Sequence, residues 1–489
     1  MKAKFSKNKY LLNYWIPIFL VAINFVLKII YLDKMSIAND EPFSIYIAQM
    51  DVFSIVSQLS KGNNPPLFEI ILHYWISIFG ISAFATRFLP FIFSVITVVY
   101  IYKIGISFFN HKIAIISSLI FTFSTYHIYF SHETRVYSLF ALLTTISMYS
   151  YLSLVKNRSS KPNLAALTLA NILLCYSHFF GIFIPIIQIV SCLILRDIRK
   201  KILKNYMISL LVLFISYIPY TRILILRFLD STINGTWIPA VTFGDLYTML
   251  WRFSNTPVTT VVYISIIGIA FVKLMLNRSD KPTVYTKIII VWFLLPYFLM
   301  FISSLKYLPF NVPIFFDRYV IFISIGFYLV VAISIFYVIK PFKQKKYLLF
   351  LPIIIAIATC NPNVDNKRRV FEVISKIKEL KTKDTYVYFS PDFFEFNFVY
   401  YYNLEYFKDY GNINLVSKIH ENLYYEHIYP INNPNQIRVN ADSHIDKILF
   451  LDALSQYPQL PTLAFEKKFK LVNTYKYYQI FILYEFEKR

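Results

Sequence analysis

The chain has 489 residues, 57% of them hydrophobic and 16% charged, with a formal net charge of +22 and a mean hydropathy of +0.52. That balance excludes a soluble globular protein and defines an integral membrane protein. The positive charge then belongs in loops that face anionic headgroups, so no nucleic-acid partner is expected. Only nine Gly are present, and none forms a Gly-rich phosphate loop, which excludes P-loop and dinucleotide folds. Cys175, Cys192 and Cys360 lie in or at the ends of apolar runs without CxxC or metal spacing, and read as small packing residues.

A basic N-terminus through Lys9 precedes an apolar run over 11–32. The run is too long for a signal-peptide core and no small-residue cleavage site follows. It predicts an uncleaved first span with a cytoplasmic N-terminus. Just beyond it stand Asp40 and Glu41, adjacent carboxylates beside a bilayer that disfavours them unless they work or pair. Asn63, Asn64, Pro65 and Pro66 then open an apolar, aromatic run over 66–80 that contains Glu69 and His73.

Further candidate spans cover 84–104, 112–130, 136–155, 163–179, 180–195, 206–226, 257–276, 284–304, 316–339 and 346–360. If 66–80 crossed the membrane, the basic loops at 156–158, 196–204, 277–278 and 340–346 would all face outward. The positive-inside rule rejects that arrangement. The expectation is therefore eleven spans, with 66–80 as a helix on the outer face. The last run, 346–360, is short for a span, and bilayer thinning would have to accommodate it. Asp40, Glu41, Glu133, His178 and Trp237 then lie outside, as does everything after about residue 361.

After Asn361 charges become frequent and apolar runs shorten. Val370, Val373, Ile374, Ile377 and Leu380 share one helical face. Residues 385–389, 448–451 and 478–484 read as strands. The chain thus divides into a transmembrane domain over 1–360 and a small extracytoplasmic α/β domain over 361–489, long enough for its own core. That domain carries no recognisable catalytic motif.

A carboxylate at the membrane surface suits a general base that deprotonates an acceptor hydroxyl or amine attacking a sugar carbon. A second carboxylate could orient it or, with Asp40 and Glu133 as ligands, hold a divalent cation. A departing phosphate needs cations, and Arg87, Arg135 and Arg318 stand at outer span ends. Each element also has a plainer reading. Asp40 and Glu41 suit the start of a surface helix, with Pro42 at an early helical position. Glu133 with Arg135, and Asp317 with Arg318, suit simple ion pairs. His178 suits a hydrogen-bonded interfacial histidine.

In order, the chain carries Asp40-Glu41-Pro42-Phe43, Pro65-Pro66-Leu67, Phe79-Gly80, Arg87-Phe88-Leu89-Pro90 and Glu133-Thr134-Arg135-Val136-Tyr137. Looser signatures follow at 176–181, 237–239 and 317–319. This set resembles glycosyltransferase family 39 and its bacterial relatives, the protein-mannosyltransferase-like and aminoarabinose-transferase-like membrane enzymes of the GT-C superfamily. The resemblance spans about residues 10–340. Where the family usually has His before Pro-Pro, this chain has Asn64.

The resemblance implies a polytopic α-helical GT-C fold and an inverting glycosyltransferase of the cell membrane. A polyprenyl-phosphate-linked sugar would be its donor, and an extracytoplasmic glycan, lipid or protein its acceptor. It implies Asp40 as catalytic carboxylate supported by Glu41, with Glu133 as second acid near a metal or the acceptor. Arg135 and Arg318, then Arg87, would steady the phosphate, and Tyr137 and His178 would line the substrate site. The sugar, hexosyl or pentosyl, stays open. Two other readings stand beside it. An oligosaccharide polymerase or ligase would use diphosphate-linked donors and a large late outer loop, yet 227–256 and 305–315 are short and poor in charge. A lipid-sugar transporter would show repeated halves and mid-span acids, and neither is found.

Overall fold

The computed structural model describes residues 14–62, 64–157, 160–276, 281–306, 312–339, 347, 350–408, 415–434, 437, 445–454, 468–478 and 480–489. Asn63, the basic N-terminus, and the basic loops at 277–278 and 340–346 lie outside them. The chain divides into two compact units. One comprises residues 1–32, 56–68 and 87–364; the other comprises 33–55, 69–86 and 365–489.

The first unit is helical. Among the described residues six helices are long and apolar enough to cross a membrane: Ala83–Phe108, Tyr137–Lys156, Ile202–Ile233, Pro257–Leu276, Val284–Ser303 and Ile321–Ile339. His111–Thr122 and Thr125–Ser131 together make a seventh, bent by 61°. The other runs expected to span are helices too short to qualify alone, at Ile16–Ile29, Lys161–Ser177, Phe183–Ile194 and Leu351–Thr359. For the first and last of these, neighbouring residues lie outside the described set. Helix Ile321–Ile339 is apolar on every side and correspondingly buried. It packs against Val284–Ser303, Pro257–Leu276, His111–Thr122 and Tyr137–Lys156.

Polar side chains tie these helices where water is absent. Ser147, Asn171 and Gln188 close a ring of hydrogen bonds at 2.5, 2.9 and 2.7 Å across three helices. The bend between His111–Thr122 and Thr125–Ser131 has a specific splint. The Asn255 amide donates to the Phe123 carbonyl at 2.8 Å, and its oxygen accepts from the Thr125 N–H at 2.8 Å. Those backbone groups lose helical partners at the break, and an apolar setting makes leaving them unpaired costly.

The second unit holds a five-stranded sheet in the order β2-β1-β3-β5-β4. The strands are β1 (Thr385–Ser390), β2 (Ile428–Pro430), β3 (Lys447–Asp452), β4 (Phe469–Tyr477) and β5 (Phe481–Lys488). β1 runs parallel to β2 and β3, while β5 pairs antiparallel with β3 and β4. The helix Val370–Leu380 buries Val370, Val373, Ile374 and Ile377, the face its sequence period predicts. Residues 33–55 and 69–86, between the first apolar helix and Ala83–Phe108 or at its start, belong to this unit. Helix Glu41–Ile47 packs on Glu395–Tyr402, with Tyr46 against Phe396 at 4.6 Å between ring centroids.

Candidate active site

In the helical unit, the splinted bend delivers the chain into a tight turn at residues 131–136. The Arg135 N–H donates to the Glu133 carbonyl at 2.7 Å, and helix Tyr137–Lys156 starts immediately after. Glu133, Arg135 and Tyr137 are all buried, at 4, 7 and 1% exposure. The Tyr137 hydroxyl lies within electrostatic range of Arg318, Arg135, Glu133 and Tyr319. The structure therefore gathers Glu133, Arg135, Tyr137 and Arg318 around one point.

Arg318 is held by aromatic rings. Its guanidinium carbon lies 5.7 Å from the Tyr137 ring centroid, 5.8 Å from Trp237 and 5.6 Å from Phe316. Such rings favour a cation without neutralising it. The ion pair expected between Arg318 and Asp317 does not form in that way. Asp317 pairs instead with Arg252 at 2.6 Å, and accepts from the Arg318 backbone N–H at 2.7 Å. Neighbours in sequence diverge in direction here, and Arg252 comes from the helix Phe243–Phe253. Tyr126 donates to the Asp317 carbonyl, fixing the same turn from the bent helix.

His178 follows the helix Lys161–Ser177, and its ring stacks on Phe140 with centroids 4.8 Å apart. The Phe180 N–H donates to its Nδ1 at 3.1 Å. A neutral imidazole then carries its proton on Nε2. That Nε2 is buried and has no hydrogen-bond partner among the described residues. Arg135 acts electrostatically on the ring, and Tyr319 lies 5.5 Å away. Gly181 permits the turn that holds His178. A Cβ there would meet the Leu174 carbonyl oxygen at 2.4 Å, so no larger residue fits. Beside this turn opens an apolar groove of about 330 Å³, lined by Cys175, Phe179, Ile182, Leu213, Phe214 and Tyr217 among others.

A second buried polar group borders the turn. Lys28, in the first apolar helix, donates to Ser94 at 2.6 Å and sits 4.5 Å from the Phe121 ring centroid. His132 Nε2 bonds the Lys28 carbonyl. Burial pushes the His132 ring down to about 4; the bond to the Lys28 carbonyl opposes this, and the charges of Arg87 and Lys28 add to it. His132 is thus neutral near pH 7. Arg87 is fully buried and within electrostatic range of His132. Lys28, His132 and Arg252 carry no sequence signal of their own, because their partners are 65 or more residues away.

Asp40 and Glu41 belong to the other unit. Asp40 is exposed at the start of helix Glu41–Ile47 and makes no side-chain cap to it. The pair thus starts a helix as expected, with Glu41 in the first turn and Pro42 behind it, but without a side-chain cap bond from Asp40. Glu41 is buried and accepts from the Ala38 N–H at 3.3 Å. A third acid, Glu69, is buried and accepts from the Ser44 hydroxyl at 2.9 Å. Asn39 precedes Asp40 in the left-handed region, with φ of +56°. Asn397 grips the Asn39 carbonyl at 3.2 Å, and Tyr401 accepts from the Ile37 N–H at 2.6 Å. Residues of the C-terminal segment thus fix the backbone that carries Asp40. Among the described residues no three His, Cys, Asp or Glu converge as a cation site.

Residues 63–223, about a third of the chain, match the family model described as dolichyl-phosphate-mannose-protein mannosyltransferase. No curated protein matches the chain. Among solved structures, ArnT from Cupriavidus metallidurans bound to undecaprenyl phosphate is similar at a TM-score of 0.60 and 11% identity, covering 96% of this chain and 97% of that one. The archaeal oligosaccharyltransferase AglB from Archaeoglobus fulgidus, in complex with an inhibitory peptide and a dolichol-phosphate, is similar at 0.51 and 10% identity, over 90% and 70% of the two chains. The chain has the GT-C fold, and the resemblance carried by its ordered motifs is borne out. It is a multi-pass membrane protein that shares the fold of these structures.

Proposed function

We propose that the protein transfers a sugar from a polyprenyl-phosphate-linked donor to an extracytoplasmic acceptor, with inversion at the anomeric carbon. One observation carries this reading. Arg135, ring-held Arg318 and the unpartnered Nε2 of the buried His178 collect positive charge and a hydrogen-bond donor beside an apolar groove. That combination suits a phosphate joined to a long hydrocarbon tail. ArnT, of the same fold, was solved with undecaprenyl phosphate, and AglB with a dolichol-phosphate.

In the reaction, the acceptor O–H or N–H gives its proton to Asp40 while its heteroatom bonds the anomeric carbon. The anomeric C–O bond breaks, and its electron pair leaves on the polyprenyl phosphate. Arg318 and Arg135, with Arg87 behind them, offset the charge that appears on that phosphate, and His178 Nε2–H and Tyr137 hydrogen-bond it. Glu41 and Glu133 support the base and the acceptor. The active site faces the extracytoplasmic side, the N-terminus is cytoplasmic, and residues 361–489 form an outer domain.

Purified protein in proteoliposomes, given radiolabelled monophosphate- and diphosphate-linked sugar lipids, tests the reading. Transfer from the monophosphate donor, lost in Asp40→Asn with the protein still folded, supports it. Transfer from the diphosphate donor alone makes the protein a polymerase or ligase. Movement of the lipid across the bilayer without transfer makes it a transporter.

A further inference from the structure

The opposite end of the helical unit holds a site that the transfer reaction does not use. The Arg318 cluster sits where helix Ile321–Ile339 begins, and a cavity of about 440 Å³ opens where that helix ends. Five helices reach it with matching ends: Phe108 closes one, Asn110 caps the next, Leu274 nears the end of another, Thr283 caps a fourth, and Ser334 and Tyr337 end the fifth. A helix of 19–20 residues is ~28–30 Å long, about the thickness of the hydrocarbon core. The two sites therefore face opposite leaflets.

The cavity walls are apolar, including Ile113, Ile267, Ala270, Phe271, Phe293 and Ile333. Polar groups gather toward the bundle end: Asn110, Lys281, Thr283, Thr286, Ser334 and Tyr337. Two aromatic residues of the lining carry a lysine each. Lys112 stands 5.9 Å from the Phe336 ring centroid, and Lys273 stands 5.1 Å from that of Tyr337 while donating to its carbonyl at 3.1 Å. No carboxylate lines the cavity among the described residues. Oily walls behind a rim of three lysines match a hydrocarbon chain joined to a negative headgroup. The volume lies within the ~300–1,000 Å³ usual for ligand pockets. Basic pockets between spanning helices on the cytoplasmic side recognise anionic lipid headgroups.

We infer that this cavity binds one anionic phospholipid of the cytoplasmic leaflet, its acyl chain among Ala270, Phe271 and Phe293 and its phosphate at Lys112, Lys273 and Lys281. The occupant steadies the five helix ends from the side opposite the transfer site. The inference does not depend on the donor or acceptor.

Full-length protein is titrated with dioleoyl-phosphatidylglycerol and with dioleoyl-phosphatidylcholine, and retained lipid is counted by native mass spectrometry. The expected result is one phosphatidylglycerol retained at least tenfold more tightly than phosphatidylcholine. Lys112→Gln with Lys281→Gln is expected to erase that preference, and both side chains reach the surface, so the variant folds. Ala270→Trp, which fills the cavity, is expected to lose both lipids; if it does not fold, the lysine pair carries the test. Equal retention of the two lipids overturns the inference, as does a preference that survives the double substitution. A dimer that excludes lipid also overturns it, since a second copy of the chain would then cover this face.

Discussion

The two acidic turns of this protein are built in opposite ways. Asp40 is exposed, makes no side-chain cap to its helix, and sits on a backbone fixed by Asn397 at the Asn39 carbonyl and by Tyr401 at the Ile37 N–H. Glu133 is buried at 4% exposure, in a turn that also places Arg135 and Tyr137. An exposed carboxylate on a fixed backbone exchanges protons with a visiting molecule. A buried one among cations organises charge and has little access to an acceptor. In the proposed reaction this difference gives base chemistry to the first turn and electrostatic support to the second.

The sharpest way to break this contrast is a pair of isosteric changes. Asp40→Asn is expected to lower kcat by roughly 10²–10⁴, the usual contribution of a positioned base, with unchanged thermal stability. Glu133→Gln is expected to cost only about tenfold in kcat but to lower stability by about 1–3 kcal/mol, as changes to buried charged hydrogen-bonding groups do. Transfer rates and unfolding midpoints of both variants decide it. Equal kinetic losses with equal destabilisation would erase the distinction.

Arg318→Lys comes next in size. Lysine keeps the charge but loses the planar group that three rings hold. A loss of about tenfold to a hundredfold in kcat/KM for the lipid donor is expected, the worth of a charged hydrogen bond. Arg252→Ala leaves Arg318 in place but frees Asp317, and a smaller loss is expected. Should Arg252→Ala prove the more damaging, Asp317 has captured Arg318 and the cage is the weaker restraint.

What the sequence reveals and what it hides follow one physical division. Helix Val370–Leu380 has the limits its 3.6-residue period predicts, and strands β1 and β3 fall on their β-rich runs. The apolar runs are helical, with that at 112–130 broken into two, because spans must satisfy their own backbone groups. The GT-C fold was legible through the order of short motifs. Side-chain partnerships were not. Asn255 splinting the break at Phe123, Arg252 claiming Asp317, and Asn397 holding Asn39 join residues 65 to 358 positions apart. Nothing periodic encodes such pairs. The grouping of residues 33–55 with 365–489 in one unit is hidden for the same reason.

That grouping gives the C-terminal segment a task that its lack of motifs conceals. Asn397→Ala removes the amide that fixes the Asn39 carbonyl, and Asn39 already holds a left-handed conformation that needs support. Loosening this joint moves Asp40 without touching it. A kcat loss of about tenfold is expected with an unchanged KM for the donor, since small misplacements of a reacting group are costly. A residue with a merely structural part would lower the yield of folded protein and leave kcat per folded molecule alone.

The smallest effect concerns pH, and it separates the same unit's fold from its chemistry. Glu395, in the helix that packs on Glu41–Ile47, is buried, which raises its carboxyl above the ordinary 4.5; His420, bonded to it at 2.5 Å, partly opposes the rise. The folded state therefore binds this proton more tightly than the unfolded chain. Stability that is full below 4.5 declines as pH climbs through the raised value, because the unfolded state then releases its proton first. Hydrogen exchange of Glu395–Tyr402 is accordingly expected to show weaker protection at pH 7.5 than at pH 5, after correction for intrinsic rates. Glu395→Gln should flatten that dependence while the pH profile of transfer stays as it was. If the transfer profile flattens too, protonation of Glu395 reaches Asp40 through Asn397, and the support of the first acidic turn is itself titratable.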